Sequence, residues 1–152
     1  MTSAKSVSAT FTAIPGYVPT GPVSSIVLDP TTPTTLYSGL DGGGVYKKVG
    51  AGNWTAASTQ PTNLNVKALA IASAGTTLFA GTDGGGVFKS SNNGVDWAVC
   101  KDASNVPNSG LTNLNLRSLA LTGTTLYAGT TAGVFVSDND CASWTALNTG
   151  MT

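Results

Sequence analysis

The sequence predicts an all-β fold: one four-stranded antiparallel unit repeated three times, with one extra outer strand at the N-terminus. Three observations predict it. A glycine-bearing hairpin phrase is written three times, at residues 36–47, 78–90 and 126–136. An apolar strand precedes each copy and a tryptophan strand follows it. Those tryptophans, Trp54, Trp97 and Trp144, stand roughly 45 residues apart. Self-similarity at a fixed period settles the class before any single motif is weighed.

The elements follow in order, labelled A to D within each repeat. Strand A is expected at 23–28, 66–71 and 116–121. Its small residues, Ser24, Ser25, Ala68, Ala70, Ser118 and Ala120, keep it slim, as strands crowded around an axis require. Both of its faces are nearly apolar, which suits a sheet covered on each side by a neighbour. Strands B and C form the repeated hairpin, turning at Asp-Gly or Gly. Strand D carries the tryptophan, at 54–57, 97–100 and 144–147. Four short antiparallel strands every 40–50 residues is the sequence form of a β-propeller blade. One more D strand precedes them, because residues 10–14 match 53–57. The expected bounds are 9–15 for that strand, then 23–58, 66–102 and 116–149 for three blades of a single domain. The expected core comprises Ile26, Leu28, Leu36, Val45, Trp54, Leu69, Ile71, Leu78, Val87, Trp97, Leu119, Leu121, Leu126, Val134 and Trp144.

Composition excludes several functions. Charged residues are 9% of the chain, against about 25% in an ordinary domain. The net charge is zero, so no electrostatic footprint for nucleic acid or an anionic membrane exists. Met1 to Ser8 lack the apolar core of a signal peptide, which fits a cytoplasmic protein or a mature or trimmed one. With no His and no Glu, His-based triads and zinc sites are absent, and neither metal nor cofactor is expected. Cys100 and Cys141 fall at non-equivalent points of the repeat and read as free thiols, Cys100 packed as a small apolar residue. They pair only if the fold brings them within reach.

The link from strand C to strand D resembles the Asp-box, S-x-D-x-G-x-T-W, of BNR-repeat propellers. Blade two offers Ser90, Asn92, Gly94 and Trp97, with Asp96 in the Thr place. Blade three offers Ser137, Asn139 and Trp144, with Cys141 in the Gly place and Ser143 in the Thr place. Blade one keeps little beyond Trp54. The resemblance implies a propeller of the sialidase, xyloglucanase and sortilin type, of extracellular origin. Turn chemistry explains these residues as structural: an Asx side chain folds back onto turn amides and Gly takes a positive φ. Sialidase chemistry needs an arginine cluster and a Tyr–Glu pair. This chain has one arginine, Arg117, and no glutamate.

The hairpin of blade one, residues 37–47, resembles a stretch of xyloglucanase-type glycosidases. That resemblance implies a catalytic carboxylate at Asp41 or its equivalent Asp83, which hydrolysis would have to pair with a second carboxylate about 5–10 Å away. The competing reading is an Asp preceding Gly in a hairpin turn. Strand alternation puts the B–C turns and D–A loops on one face. Asp41, Asp83, Tyr17 and Arg117 are the ligand-binding candidates there, and the long loop 101–115 lies beside them. The leading expectation is a non-enzymatic scaffold or binding module with no catalytic residue. A carbohydrate-binding, lectin-like propeller and half of a glycosidase are the alternatives, and the expected partner is a second copy or a glycan.

Three blades cannot close a ring of about 4–8. The chain is therefore expected to be a partial propeller completed by oligomerisation, two chains supplying six blades around a two-fold axis. The N-terminal D strand is expected to pair with strand C of the neighbour's last blade. That exchange would leave the C-terminal copy loose or elsewhere.

Overall fold

A computed structural model describes residues 21–151 and shows twelve strands and no helix among them. The first sheet holds β1 (Val23–Leu28), β2 (Thr35–Leu40), β3 (Gly44–Val49) and β4 (Thr55–Ala56). The second holds β5 (Val66–Ile71), β6 (Leu78–Thr82), β7 (Gly86–Ser90) and β8 (Ala98–Val99). The third holds β9 (Leu116–Thr122), β10 (Thr125–Thr130), β11 (Gly133–Ser137) and β12 (Thr145–Ala146). Each sheet is an antiparallel meander in chain order. Strands A to C match the periodic reading, while strand D shrinks to two residues in every sheet, with the tryptophan just before it. Residues 9–15, the expected thirteenth strand, lie outside the described residues.

The pairing register carries one irregularity near the start of strand A in each sheet. It falls between Val23 and Ser25, between Val66 and Ala68, and opposite Gly129 and Thr130. Ser24, Lys67 and Arg117 are thereby the extra residues of β-bulges, which re-aim a side chain away from the sheet face. Past the bulge the alternation of period two is regular. The core sits between sheets rather than within any one of them. One cluster joins Tyr37 and Val45 of the first sheet to Leu69, Leu78, Phe88 and Trp97 of the second. The other joins Phe79 and Val87 of the second to Leu116, Leu126, Phe135 and Trp144 of the third.

Two expectations are corrected. Cys100 and Cys141 are not free thiols: they form a disulfide, with Cα atoms 5.6 Å apart. The turn before Trp144 lies against the end of strand D of the preceding blade, so positions distant in the repeat meet across a sheet joint. Ile26 and Leu28 are not core: they are 56% and 57% exposed, because nothing among the described residues packs on that side of β1. Leu36, Trp54, Ile71, Leu119, Leu121 and Val134 are half-buried, whereas Tyr37, Val66, Phe79, Leu116 and Phe135 are core residues that the sequence reading missed. In the single chain β12 pairs with β11 through Phe135↔Ala146 and Val136↔Thr145.

Candidate functional site

The face carrying the B–C turns and D–A loops is built by repetition. Each B–C turn is pinned to the loop that leads into the next blade, through bridges Asp41↔Asn65 and Asp83↔Asn115. The backbone N of Gly44 donates to Leu64 O at 3.0 Å, and Gly84 N donates to Leu114 O at 3.0 Å. A side-chain amide then brackets the start of each strand C. Gln60 Oε1 accepts from Val45 N at 2.8 Å, Asn108 Oδ1 from Val87 N at 2.9 Å, and Asn148 Oδ1 from Val134 N at 2.8 Å. Sequence reading missed these three residues. Their signal was present, one amide-bearing side chain after each tryptophan strand, but the spacing varies with loop length.

The long loop 101–115 is a folded insertion. Asp102 accepts hydrogen bonds from Ser104 N and Val106 N, both at 2.9 Å. Those backbone bonds, that of Val106 foremost, hold its carboxyl below the usual carboxylate range. Further along, Asn108 caps β7 and Leu111 is buried in the second core cluster.

The structure brings three of the four ligand-binding candidates onto this face, and it pairs them. Asp41 forms an ion pair with Lys67 of the next blade. Asp83 forms the equivalent pair with Arg117, Nη1 to Oδ2 at 2.8 Å. Both cations are the bulged residues of strand A, which explains how they reach back to the preceding turn. Each carboxylate thus serves as a strut between blades. Tyr17 lies outside the described residues. Among the described residues, no group of three His, Cys, Asp or Glu side chains is arranged to hold a metal ion.

The opposite face carries the C–D turns. Ser90 Oγ accepts from Gly94 N at 3.0 Å, and Asn92 Oδ1 accepts from Asp96 N at 2.9 Å. Trp97 Nε1 donates to Gly94 O at 3.3 Å. Blade three repeats the first two of these bonds, with Ser137 Oγ accepting from Cys141 N at 3.1 Å and Asn139 Oδ1 from Ser143 N at 3.0 Å. Trp144 is 5% exposed. Gly94 and Cys141 share the left-handed backbone, with φ of 74° and 64°. All these bonds are internal to the turn, so they define a rigid corner.

No family model matches the chain, and no curated protein is similar to it in sequence. Solved structures do resemble it. The GH74 xyloglucanase from Xanthomonas campestris is 23% identical, with a TM-score of 0.58 over 84% of this chain and 21% of that one. YCF48 from Cyanidioschyzon merolae is 16% identical, with a TM-score of 0.58 over 82% of this chain and 36% of that one. An ancestral GH74 enzyme overlaps at 20% identity and a TM-score of 0.49, over 84% and 24%. The first two likenesses support a β-propeller fold. The chain spans between about a fifth and a third of the length of these proteins.

Proposed function

We propose that this chain is a non-catalytic β-propeller segment of the BNR/Asp-box type, a scaffold or binding module that completes its ring with a second copy of itself. The observation that carries this reading is the pairing of Asp41 with Lys67 and of Asp83 with Arg117. A glycosidase needs one carboxyl free to protonate a leaving group and another free to attack or to activate water. Here each candidate is committed to a cation of the adjacent blade. The remaining loop carboxylate, Asp102, is committed to its own turn.

The test is hydrolysis of xyloglucan and β-glucans by the wild type, Asp41→Asn and Asp83→Asn. All three are expected to stay at the buffer rate. Turnover by the wild type that either substitution abolishes overturns the reading in favour of a glycosidase half. A glycan array separates the lectin-like alternative, because repeated weak sites gain avidity in a ring. A finer version of the assembly has residues 10–14 displacing β12 of a neighbour. Deleting residues 1–15 leaves the dimer intact if the ring closes by sheet faces alone, and dissociates it if exchange latches the ring.

A further inference from the structure

The described residues contain the same joint twice, and their first and last sheets each present one face that no described residue covers. In the first joint, Gly39 of β2 lets Leu69 of the next strand A come close: a Cβ on that glycine would sit 3.4 Å from Leu69 Cγ. In the second, Gly81 does the same for Leu116 and Leu119, at 3.0 and 3.3 Å. Gly129 is the equivalent in blade three, on the face that no further blade among the described residues covers. Beside it Ser118 and Ala120 are exposed. The complementary strand A surface is that of β1, where Ile26 and Leu28 hold the places of Leu69 and Ile71. Ile26 is 56% exposed and Leu69 is 6% exposed, so the same repeat position is open at the end and closed inside.

Polar groups show the same end-to-end match. Inside the chain, one blade's turn carboxylate meets the next blade's bulge cation, as Asp41–Lys67 and Asp83–Arg117. At the ends the carboxylate place is Thr131 and the cation place is Ser24, so closing the joint buries no unpaired charge. On the rim, Lys47 Nζ donates to Asn93 O at 3.3 Å and Lys89 pairs with Asp140. The corresponding end residues, Val136 and Gly50, are again neutral. Leu69 N donates to Ser25 Oγ at 3.0 Å across the first joint. Ser118 holds the acceptor's place at the open end and Ile26 N the donor's. Terminal repeats meant for water carry polar outer faces. These two do not.

We infer that the uncovered face of the third sheet is the docking surface for the β1 face of a second copy, in the geometry of the two internal joints. This rests on the proposed two-chain ring and specifies how it closes: two identical head-to-tail contacts, six blades in all, within the range of closed propellers. The disulfide supplies the ruler. Cys100 follows Trp97 by three residues and Cys141 precedes Trp144 by three. At the open joint those places are Leu147, which is 53% exposed, and Ala51, which is exposed.

The experiment is oxidation of the full chain carrying Ala51→Cys and Leu147→Cys, with light scattering of the parent chain alongside. The inference expects a mass twice 15.2 kDa for the parent, and a covalent dimer of the variant whose peptide map joins 51 of one chain to 147 of the other. A parent dimer whose variant gives no such cross-link overturns the docking geometry and leaves the ring reading standing. A stable parent monomer overturns both. A ladder of cross-linked polymers keeps the joint and overturns its closure by two chains. As a second measurement, Ser24→Lys with Thr131→Asp builds the missing ion pair. It is expected to tighten the dimer about twofold to fivefold over either single variant at low salt. No gain over the singles overturns the equivalence of this joint with the inner two.

Discussion

The joint between blades one and two and the joint between blades two and three occupy equivalent positions and are filled by different chemistry. In the first, Tyr37 is fully buried and its ring rests on Gly94, where a Cβ would lie 2.8 Å from Tyr37 Cε1. Lys47 stands over the same ring, 5.4 Å from its centre. In the second, Phe79 takes the place of Tyr37, Cys141 the place of Gly94, and Cys100 the place of Ala57. Phe79 lacks the hydroxyl of Tyr37, and the turn residue carries a side chain that a disulfide ties to the end of the preceding strand D. Both joints thus bury aromatic side chains, and the second adds a covalent link. The repeat therefore specifies where two blades touch and leaves open which interaction fills the contact.

The difference predicts unequal responses to damage. The largest effect is expected for Trp97→Ala, which empties a 4% exposed side chain from the first joint and costs about 3–5 kcal/mol in urea unfolding. Reducing the Cys100–Cys141 bond, which spans 41 residues, costs about 3 kcal/mol and acts on the second joint. Hydrogen exchange should then show β9–β12 opening ahead of β1–β4. If both sheets open together, the two joints are not separable.

Gly94→Ala should cost about 1–3 kcal/mol, because the new methyl meets the Tyr37 ring and the left-handed φ is strained. The analogous turn in blade three already tolerates a side chain at Cys141, so Cys100→Ala with Cys141→Ala should lose only the cross-link. Calorimetry of both variants decides it.

Acid should weaken the first joint through Asp29. Asp29 is buried, which by itself pushes its carboxyl up. The hydrogen bonds from Thr31 Oγ1, Thr31 N and Thr32 N, helped by Lys47, outweigh that and hold it below its usual value. A depressed carboxyl contributes stability that is fully present above its unfolded value, about pH 4, and lost as pH falls through the folded one. The equivalent position in blade two is Ala72, which does not titrate. Urea midpoints between pH 7 and pH 2 should therefore fall less steeply for Asp29→Asn than for the parent. Equal slopes would remove Asp29 from the account. The smallest effects belong to Asp41→Asn and Asp83→Asn. These partly exposed ion pairs are worth under about 1 kcal/mol each, so both variants should fold with midpoints near the parent's.

The sequence by itself determined the all-β class, the three blades and nearly every boundary of strands A to C, because hairpin turns and tryptophan spacing are local signals that recur. It also marked the C–D turns, whose hydrogen bonds run between residues four apart, as Gly94 to Ser90 and Cys141 to Ser137. The tertiary structure alone decided whatever joins one blade to another. The Cys100–Cys141 disulfide, the Asp41–Lys67 and Asp83–Arg117 struts and the exposure of Ile26 and Leu28 all depend on which sheet lies beside which. A repeat shows in the sequence that each blade has two faces to cover. Whether a face is covered depends on the presence of a neighbour, and that contact joins residues too far apart in the chain for any local pattern to record.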